Sequence, residues 1–368
     1  MALPKETTWN IQPHTKAKHE ILRRYLNAWF PILSRRSDRI VYIDGFAGPG
    51  RYRGGEPGSP LIALEVATAH RMAIESEIVF WFIDEDERRI KNLQQEIEKL
   101  ELPAHFKVYA ECGRFDEKLG AILDDLESNN LQLAPTFCFV DPFGFSGVPF
   151  SLVKRLLGYK RSELLVTFMV DAVKRFLGHS SPGVAGHIVD LYGTDAVLDL
   201  AKTQDDPTRR LRELYQSQLK SAAQFVRYFE MRDKRNRPLY YLFFATNHPL
   251  GHVRMKEAMW KVDPAGEFRF SDATDPTQLV LFGVDPVSGL AEQLRRKFGG
   301  RSNVDAKEVR EYVENETAYL KKHMTAALRQ EEKAGLVRVR ETKANGKKRK
   351  PGTYPDGVLL TFCQEGTQ

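Results

Sequence analysis

The residues in this chain with the clearest capacity for chemistry are three acids, each placed at the end of a short apolar run. Ile40, Val41, Tyr42 and Ile43 lead into Asp44, and Gly45, Phe46, Ala47, Gly48, Pro49 and Gly50 follow. Small residues crowded after a buried strand mark a backbone that turns sharply and lets a ligand come close. Glycine suits such a place because it has no Cβ and takes left-handed dihedrals at little cost. Residues 77–83 (EIVFWFI) end in Asp84, Glu85 and Asp86. An acid ending the strand beside such a turn can hydrogen-bond ribose hydroxyls, with Asp84 the first choice and Glu85 the second. The same acids also suit the start of a helix over 87–100, where negative charge meets the helix dipole. Residues 136–140 (TFCFV) deliver Asp141, Pro142, Phe143, Gly144 and Phe145. In a doubly wound sheet this strand end faces the same crevice. Phe143 and Phe145 read equally well as core residues.

The surrounding pattern supplies the elements that must hold these acids. A helix is predicted over 14–30 from the spacing of Ile21, Leu22, Tyr25, Leu26 and Trp29. Its polar entry, His14 to His19, reads as a solvated first turn or as a cationic wall beside a ligand. A long loop over 51–58 carries Arg51, Tyr52 and Arg53, placed to fold over a ligand or grip a substrate. Ser59 is the expected N-cap of a helix over 61–74, with Pro60 at its first position. Strands are predicted over 105–110, 163–170, 225–231 and 239–246, and helices over 117–126, 148–157, 171–177, 209–223 and 253–260. The turn between the last two strands holds Arg232, Lys234, Arg235 and Arg237 against Asp233, a candidate phosphate contact or a solubilising turn. His248 and His252 lack metal-ligand spacing and read as capping or surface residues.

Beyond residue 288 the pattern changes. Helices over 290–298, 306–314 and 320–334 precede a strand at 336–340, a basic loop at 341–352 and a strand at 357–362. That is the order of a winged helix, whose wing touches phosphate through Lys347, Lys348, Arg349 and Lys350. A winged helix used for protein contact, or an unstructured basic loop, fits the same residues. The expected division is residues 1–262, a linker at 263–288, and a winged-helix domain at 289–368.

The totals narrow the class. The 368 residues carry 55 Lys and Arg against 49 Asp and Glu, a net charge of +6, which suits a polyanionic partner. No apolar run approaches the ~18 residues of a membrane span, so no membrane partner is expected. Residues 1–16 lack a secretory layout. Cys112, Cys138 and Cys363 form no CxxC pair, so neither a disulfide framework nor a zinc site is indicated. A cytoplasmic, reduced protein is expected.

The Asp44-x-Phe46-x-Gly48-x-Gly50 pattern resembles the first motif of Rossmann-type S-adenosylmethionine-dependent methyltransferases, especially those acting on nucleic acid. The implied fold is α/β: a doubly wound sheet of five parallel strands plus a terminal antiparallel hairpin, followed by the winged helix. The implied cofactor is S-adenosylmethionine, held by Asp44, Gly45, Phe46, Ala47, Gly48, Gly50, Asp84 and Glu85. Such enzymes carry an acid-containing turn after the third strand that contacts adenine, here Glu111 or Asp116, with Cys112 lining the ring. Amino-methyltransferases acting on adenine place Asp/Asn-Pro-Pro-aromatic after the fourth strand. Here Asp141 and Pro142 match, Phe143 replaces the second proline, and Gly144 stands at the aromatic. Asp141 would then position or deprotonate the acceptor, and Phe143 or Phe145 would stack on a flipped base. Nucleic-acid contacts are expected from Arg51, Arg53, Lys234, Arg235, Arg237 and the wing. Over roughly residues 9–262 the chain resembles the three-Cys-motif partner family, TcmP. The match lies in His14–His19, Asp44–Gly50, Gly58-Ser59-Pro60, Asp141–Gly144, Thr167-Phe168-Met169 and Thr246-Asn247-His248. That resemblance implies a radical-SAM-like partner with three cysteines. It also leaves room for a nucleic-acid-binding subunit that presents substrate to that partner without catalysis of its own.

Overall fold

The structure is a computed structural model that describes residues 6–70, 74–179, 181–200, 206–263, 269–271, 285–342 and 346–363. Most of the segment read as a linker, residues 71–73 and residues 343–345 of the basic loop lie outside these; the helix expected over 61–74 ends already at Thr68. The chain divides into two compact units. One is built on residues up to Val262 together with Arg269–Ser271, the other on residues from Asp285 onward.

In the first unit, apolar runs become strands because neighbouring residues alternate between two faces that are both covered. In β1 (Arg39–Asp44) Ile40 and Tyr42 point into one core, whereas Ile43 points into the other. In β4 (Thr136–Val140) Phe137 and Phe139 face the first core and Cys138 and Val140 the second. A side chain buried this fully contributes about 1.5–3 kcal/mol relative to exposure. β2 (Glu77–Asp84), β3 (Phe106–Cys112) and β5 (Ser162–Phe168) complete the parallel set. β7 (Pro238–Thr246) pairs antiparallel with β5 and with β6 (Phe225–Arg232). A short β8 (Arg269–Ser271), inside the segment read as a linker, adds in parallel to β6. The order is β3-β2-β1-β4-β5-β7-β6-β8. This is the expected sheet of five parallel strands closed by an antiparallel hairpin.

Helices cover both faces. α1 (Pro13–Ser34), α2 (Ser59–Thr68), α3 (Glu87–Glu98) and α10 (Pro249–Val262) supply the first core. The second core is supplied by α4 (Phe115–Ser128), α5 (Phe150–Gly158), α6 (Val170–Phe176), α7 (Pro182–Tyr192), α8 (Ala196–Asp199) and α9 (Pro207–Ala222). α1 runs past Pro31, which cannot donate to the Asn27 carbonyl; the His70 ring nitrogen lies 3.2 Å from that oxygen instead. Gly58, not Ser59, is the N-cap of α2. Its N–H donates to Gly50 O at 2.7 Å, and a Cβ at Gly58 would sit only 3.0 Å from that oxygen. Ser59 therefore becomes the first helical residue. His252 is buried on α10 with its ring 3.1 Å from the Arg227 guanidinium, which corrects the capping or surface role expected for it.

The second unit packs α11 (Pro286–Phe298), α12 (Ala306–Glu316) and α13 (Lys321–Lys333) against a small antiparallel sheet. That sheet joins β10 (Val337–Val339), β11 (Leu359–Phe362) and β9 (Val304–Asp305). Leu290, Leu294, Phe298, Val309, Met324, Leu328, Leu360 and Phe362 form its interior. The fold is a winged helix, with the wing between β10 and β11.

Candidate functional site

The carboxyl ends of β1, β2 and β4 lie side by side, and the strand order reverses between β1 and β4, where ligands of such sheets collect. The turn after β1 is built from the backbone up. Gly45 N–H donates to Phe139 O and Ala47 N–H to Ile83 O, both at 2.9 Å. Gly48 N–H donates to the Asp84 carboxylate at 2.9 Å. Gly48 and Gly50 have φ of +65° and +86°, so both need glycine. The glycines nevertheless serve different ends. A Cβ at Gly45 would meet the Phe115 ring at 2.5 Å, and one at Gly50 would meet Leu93 at 3.0 Å; at Gly48 the nearest atom is on the Trp9 ring, 3.9 Å away. Gly45 thus makes room for the Phe115 ring while bordering the second of the two cavities that open on the crevice. Gly48 is the position that opens toward the crevice.

Three carboxylates converge here and each is held differently. Asp44 is fully buried and borders neither of the two cavities in the crevice, which corrects its expected contact with a ligand. Its carboxylate accepts from Phe46 N–H at 3.3 Å and stiffens the turn. Burial pushes its pKa up to about 7, opposed by hydrogen bonds from Ser59 and Phe46. Asp84, 4% exposed, accepts from Gly48 N–H and Asp86 N–H and lies 3.6 Å from the Arg89 guanidinium. Its pKa is raised, burial outweighing those contacts. Asp141 behaves oppositely. Burial alone would raise it, but Lys18, which donates directly to it, brings its pKa below the usual carboxylate range. Lys18 is 4% exposed and its ammonium also sits 5.3 Å from the Tyr240 ring centre. His14 and His19 are buried beside it, so this face of α1 is a wall of the site, while Lys16 on another face of the first turn stays exposed. Burial, reinforced by Lys18, lowers the His19 pKa to about 3, so this imidazole is neutral.

Two cavities open on the crevice. One of about 400 Å³ is lined by the turn, by Lys18, His19 and Asp141, and by the rings of Trp9, Tyr52 and Tyr240. The other, of about 340 Å³, is lined by Asp84, Glu85, Arg89 and residues 113–116. Phe46, Pro142 and Phe143 border both. Ala47, Gly48, Gly50, Arg51 and Asp141 face the first, and Asp84 and Glu85 the second.

Several expected contacts fall elsewhere. Glu111 pairs with Lys118 at 2.9 Å, and the Cys112 thiol points to Glu85 O at 3.6 Å; neither lines a cavity, and Gly113, Arg114, Phe115 and Asp116 take that place. The φ of +154° at Gly113 turns the chain into α4 one residue beyond the expected contact. Phe145 packs on Phe176 and lines neither cavity, so of the two candidate rings Phe143 is the one at the crevice. Arg51 pairs with Glu96 at 2.7 Å, and Arg53 pairs with Glu6, so both charges are engaged within the chain. Because β6 runs parallel to β5, the β6–β7 turn lies at the same sheet edge as the crevice. Lys234 and Arg235 are exposed there, while Arg237 is bound through two nitrogens to Asp233 at 2.7 and 2.9 Å. In the wing Lys347, Lys348 and Lys350 are exposed. Arg349 turns inward to Glu332, with its guanidinium 5.6 Å from the Tyr354 ring centre, which removes it from the expected phosphate contacts.

Sequence alone does not single out two of the site residues, Trp9 and Arg89, and offers Lys18 only within the His14–His19 run read as a possible cationic wall. Lys18 does carry a signal, since 14, 18, 21, 22 and 25 share one helical face. Trp9 lies outside any periodic segment, and Arg89 sits in a run of helical charges. Among the described residues no group of His, Cys, Asp and Glu has metal-holding geometry, and no helix is long and apolar enough to cross a membrane. Cys112, Cys138 and Cys363 are unpaired.

Parts of the chain are similar to known proteins. Residues 269–344 match the family model described as the GMT-like wHTH domain. No curated protein matches the chain. Among solved structures, human Methyltransferase-like protein 13 in complex with SAH is similar at 11% identity and a TM-score of 0.37, covering 73% of this chain and 96% of that one. The METTL16 MTase domain is similar at 14% identity and a TM-score of 0.29, covering 60% of this chain and 66% of that one. A putative caffeoyl-CoA O-methyltransferase from Staphylococcus aureus is similar at 9% identity and a TM-score of 0.29, covering 60% of this chain and 82% of that one.

Proposed function

We propose that the first unit binds S-adenosylmethionine and that the protein is a cytoplasmic methyltransferase of a nucleic-acid base, with the winged helix holding the DNA or RNA. The observation that supports this best is the meeting of Gly48, Asp84 and Asp141 at the switch point of the sheet. Asp84, Glu85 and residues 113–116 would hold the cofactor's nucleoside, and the turn at Ala47 and Gly48 would lie under the rest. Bound there, the cofactor supplies an electrophilic methyl group. The chain's own task is to orient the acceptor. Asp141, kept ionised by Lys18, accepts a hydrogen bond from an acceptor N–H, and Phe143 offers a ring for the base to rest on.

A second reading has the protein bind the cofactor and nucleic acid without transferring a methyl group, presenting substrate to a radical-SAM-like, three-Cys-motif partner. It draws on the resemblance to the TcmP family and on Asp141, whose carboxylate is already bonded to Lys18. Calorimetry with S-adenosylmethionine, its demethylated product SAH, and NAD tests the shared premise. Micromolar binding of the first two, weakened about tenfold or more in Asp84→Ala, is expected; no nucleotide binding at all ends both readings. Transfer of labelled methyl to single-stranded and duplex DNA or RNA, lost in Asp141→Asn, then separates them. A protein that binds the cofactor but transfers nothing fits the second reading.

A further inference from the structure

The two cavities of the crevice are divided by a single cluster. The Arg89 guanidinium carbon lies 5.3 Å from the Trp9 ring centre and 5.4 Å from that of Phe143. Those two rings meet edge to face at 5.5 Å. The same guanidinium stands 3.6 Å from Asp84 and 3.9 Å from Asp86, and Arg89 is 3% exposed. Trp9 belongs to no strand or helix. It sits on a strap that precedes α1, tied to the 51–58 loop by Arg53 N–H to Trp9 O at 2.9 Å and by the Arg53 side chain to Glu6 and Thr8 O. Its ring also touches Tyr52 edge-on at 5.9 Å and is the group nearest the open side of Gly48. Arg89 therefore engages the acid that a ribose would claim, and Trp9 covers the glycine over which the ligand would lie.

We propose that Trp9 and Arg89 gate the crevice, so that a ligand spanning both cavities enters only when Arg89 leaves the two rings and the strap lifts from Gly48. This rests on the cofactor reading and adds to it which residues set the affinity and rate of entry. The strap suits the part, because its side-chain tie is at the surface: Arg53 and Glu6 are 52% and 66% exposed. Segments held by few, solvated contacts open at low cost. Arg89 is more firmly held, since an arginine between aromatic faces gains a cation–π attraction on top of its attraction to Asp84. A closed gate leaves only a fraction of molecules competent to bind, and the apparent dissociation constant rises by the reciprocal of that fraction.

The test titrates the full chain with SAH by calorimetry, and follows association by stopped-flow anisotropy of a fluorescently labelled SAH. Wild type, Trp9→Ala and Arg53→Ala are compared, each checked for native circular dichroism. Removing one wall of the gate in Trp9→Ala is expected to tighten SAH binding by about threefold to tenfold, the reach of one cation–π contact. Arg53→Ala, which loosens the strap and leaves every ring in place, is expected to speed association with a smaller gain in affinity. Weaker binding by Trp9→Ala would make Trp9 a contact of the ligand and overturn the gate. Unchanged affinity and rates in both variants would overturn it as well. If wild type and both variants are folded and none binds SAH, the cofactor reading falls and the gate with it.

Discussion

The basic run from His14 to His19 and the one from Lys347 to Lys350 look alike in sequence, yet Lys18 of the first and the three lysines of the second end at opposite extremes of exposure. Lys18 is 4% exposed and bonded to Asp141, with His14 and His19 buried on either side. Lys347, Lys348 and Lys350 stand in solvent. The difference lies in the residues that each run shares an element with. His14 and Lys18 share a helical face with Ile21, Leu22 and Tyr25, all at most 1% exposed, so burying that stripe carries the lysine inward. The wing is a loop with no stripe to bury. A buried ammonium is costly unless it is paired, and Asp141 at the end of β4 is the partner that makes the burial tolerable. The same pairing gives the crevice its ionised acid. Context, and not charge, decides which basic run builds a site.

The largest effect that would sharpen this contrast is expected from Lys18→Met, which keeps the length of the side chain and removes its charge. Breaking a buried pair from one side costs about 3–5 kcal/mol. A value near the lower end is expected, because the Asp141 side chain keeps 25% exposure. The sign with pH is fixed by Asp141. In wild type its pKa is depressed, so its contribution to stability is present above the ordinary carboxylate range and is lost as pH falls through the lowered value. In the variant, burial acts without the lysine and raises that pKa, so the carboxylate costs stability as pH rises. The gap between the two proteins should widen from about pH 4 to about pH 7 when read by urea denaturation. A gap that stays constant with pH would show that Lys18 acts by packing alone.

Arg349 tests the contrast from the other side, since it is the one member of the wing run that behaves like Lys18. Its side chain is 8% exposed, bonded to Glu332 of α13 and stacked on Tyr354. Arg349→Ala is expected to cost the winged-helix unit about 1–3 kcal/mol through the lost charged bond to Glu332, which keeps its bond from the Tyr354 hydroxyl at 2.7 Å. Thermal unfolding of the full chain would show it as a lowered transition for that unit. A neutral outcome would place Arg349 with its exposed neighbours and weaken the contrast.

Much of the frame was legible because the strands of the first sheet are short apolar runs ended by acids or turn residues, and that signal survives without any tertiary knowledge. The acids at 44, 84 and 141 were correctly brought to one edge, since parallel strands leave their carboxyl ends together. α7 was not legible: Gly183 and Gly186 lower the helix propensity of residues 182–192, and packing against α5 and α9 overrides it. β9, two residues long, carries no period to detect. Side-chain direction was the harder loss. Whether Phe143 or Phe145 reaches the crevice depends on the backbone after Pro142, and whether Asp44 meets a ligand or caps its own turn depends on a hydrogen bond to Phe46. Trp9 acquires its role from a strap whose course is set by Arg53, far away in sequence.

The smallest effect on stability, and the cleanest on binding, is expected from replacing Lys347, Lys348 and Lys350 together with alanine. Exposed side chains with little packing change stability by no more than about 0.5 kcal/mol, so the unfolding transition should stay where it is. Binding is another matter if these lysines meet phosphate. Each phosphate neutralised releases counterion, and the logarithm of affinity falls against the logarithm of salt concentration by about 0.9 per contact on duplex DNA. Three contacts removed should lower that slope by about two to three, with affinity reduced alike across sequences. Fluorescence anisotropy on a labelled duplex across a salt series reads both quantities. Arg349→Ala measured beside it supplies the control that the contrast demands, because an inward arginine can weaken binding by loosening the wing while leaving the three lysine contacts to be counted. An unchanged slope in the triple variant would mean that this wing meets something other than a phosphate backbone, and α13, with Lys321, Lys322, Arg329 and Lys333 exposed, would be the next surface to titrate.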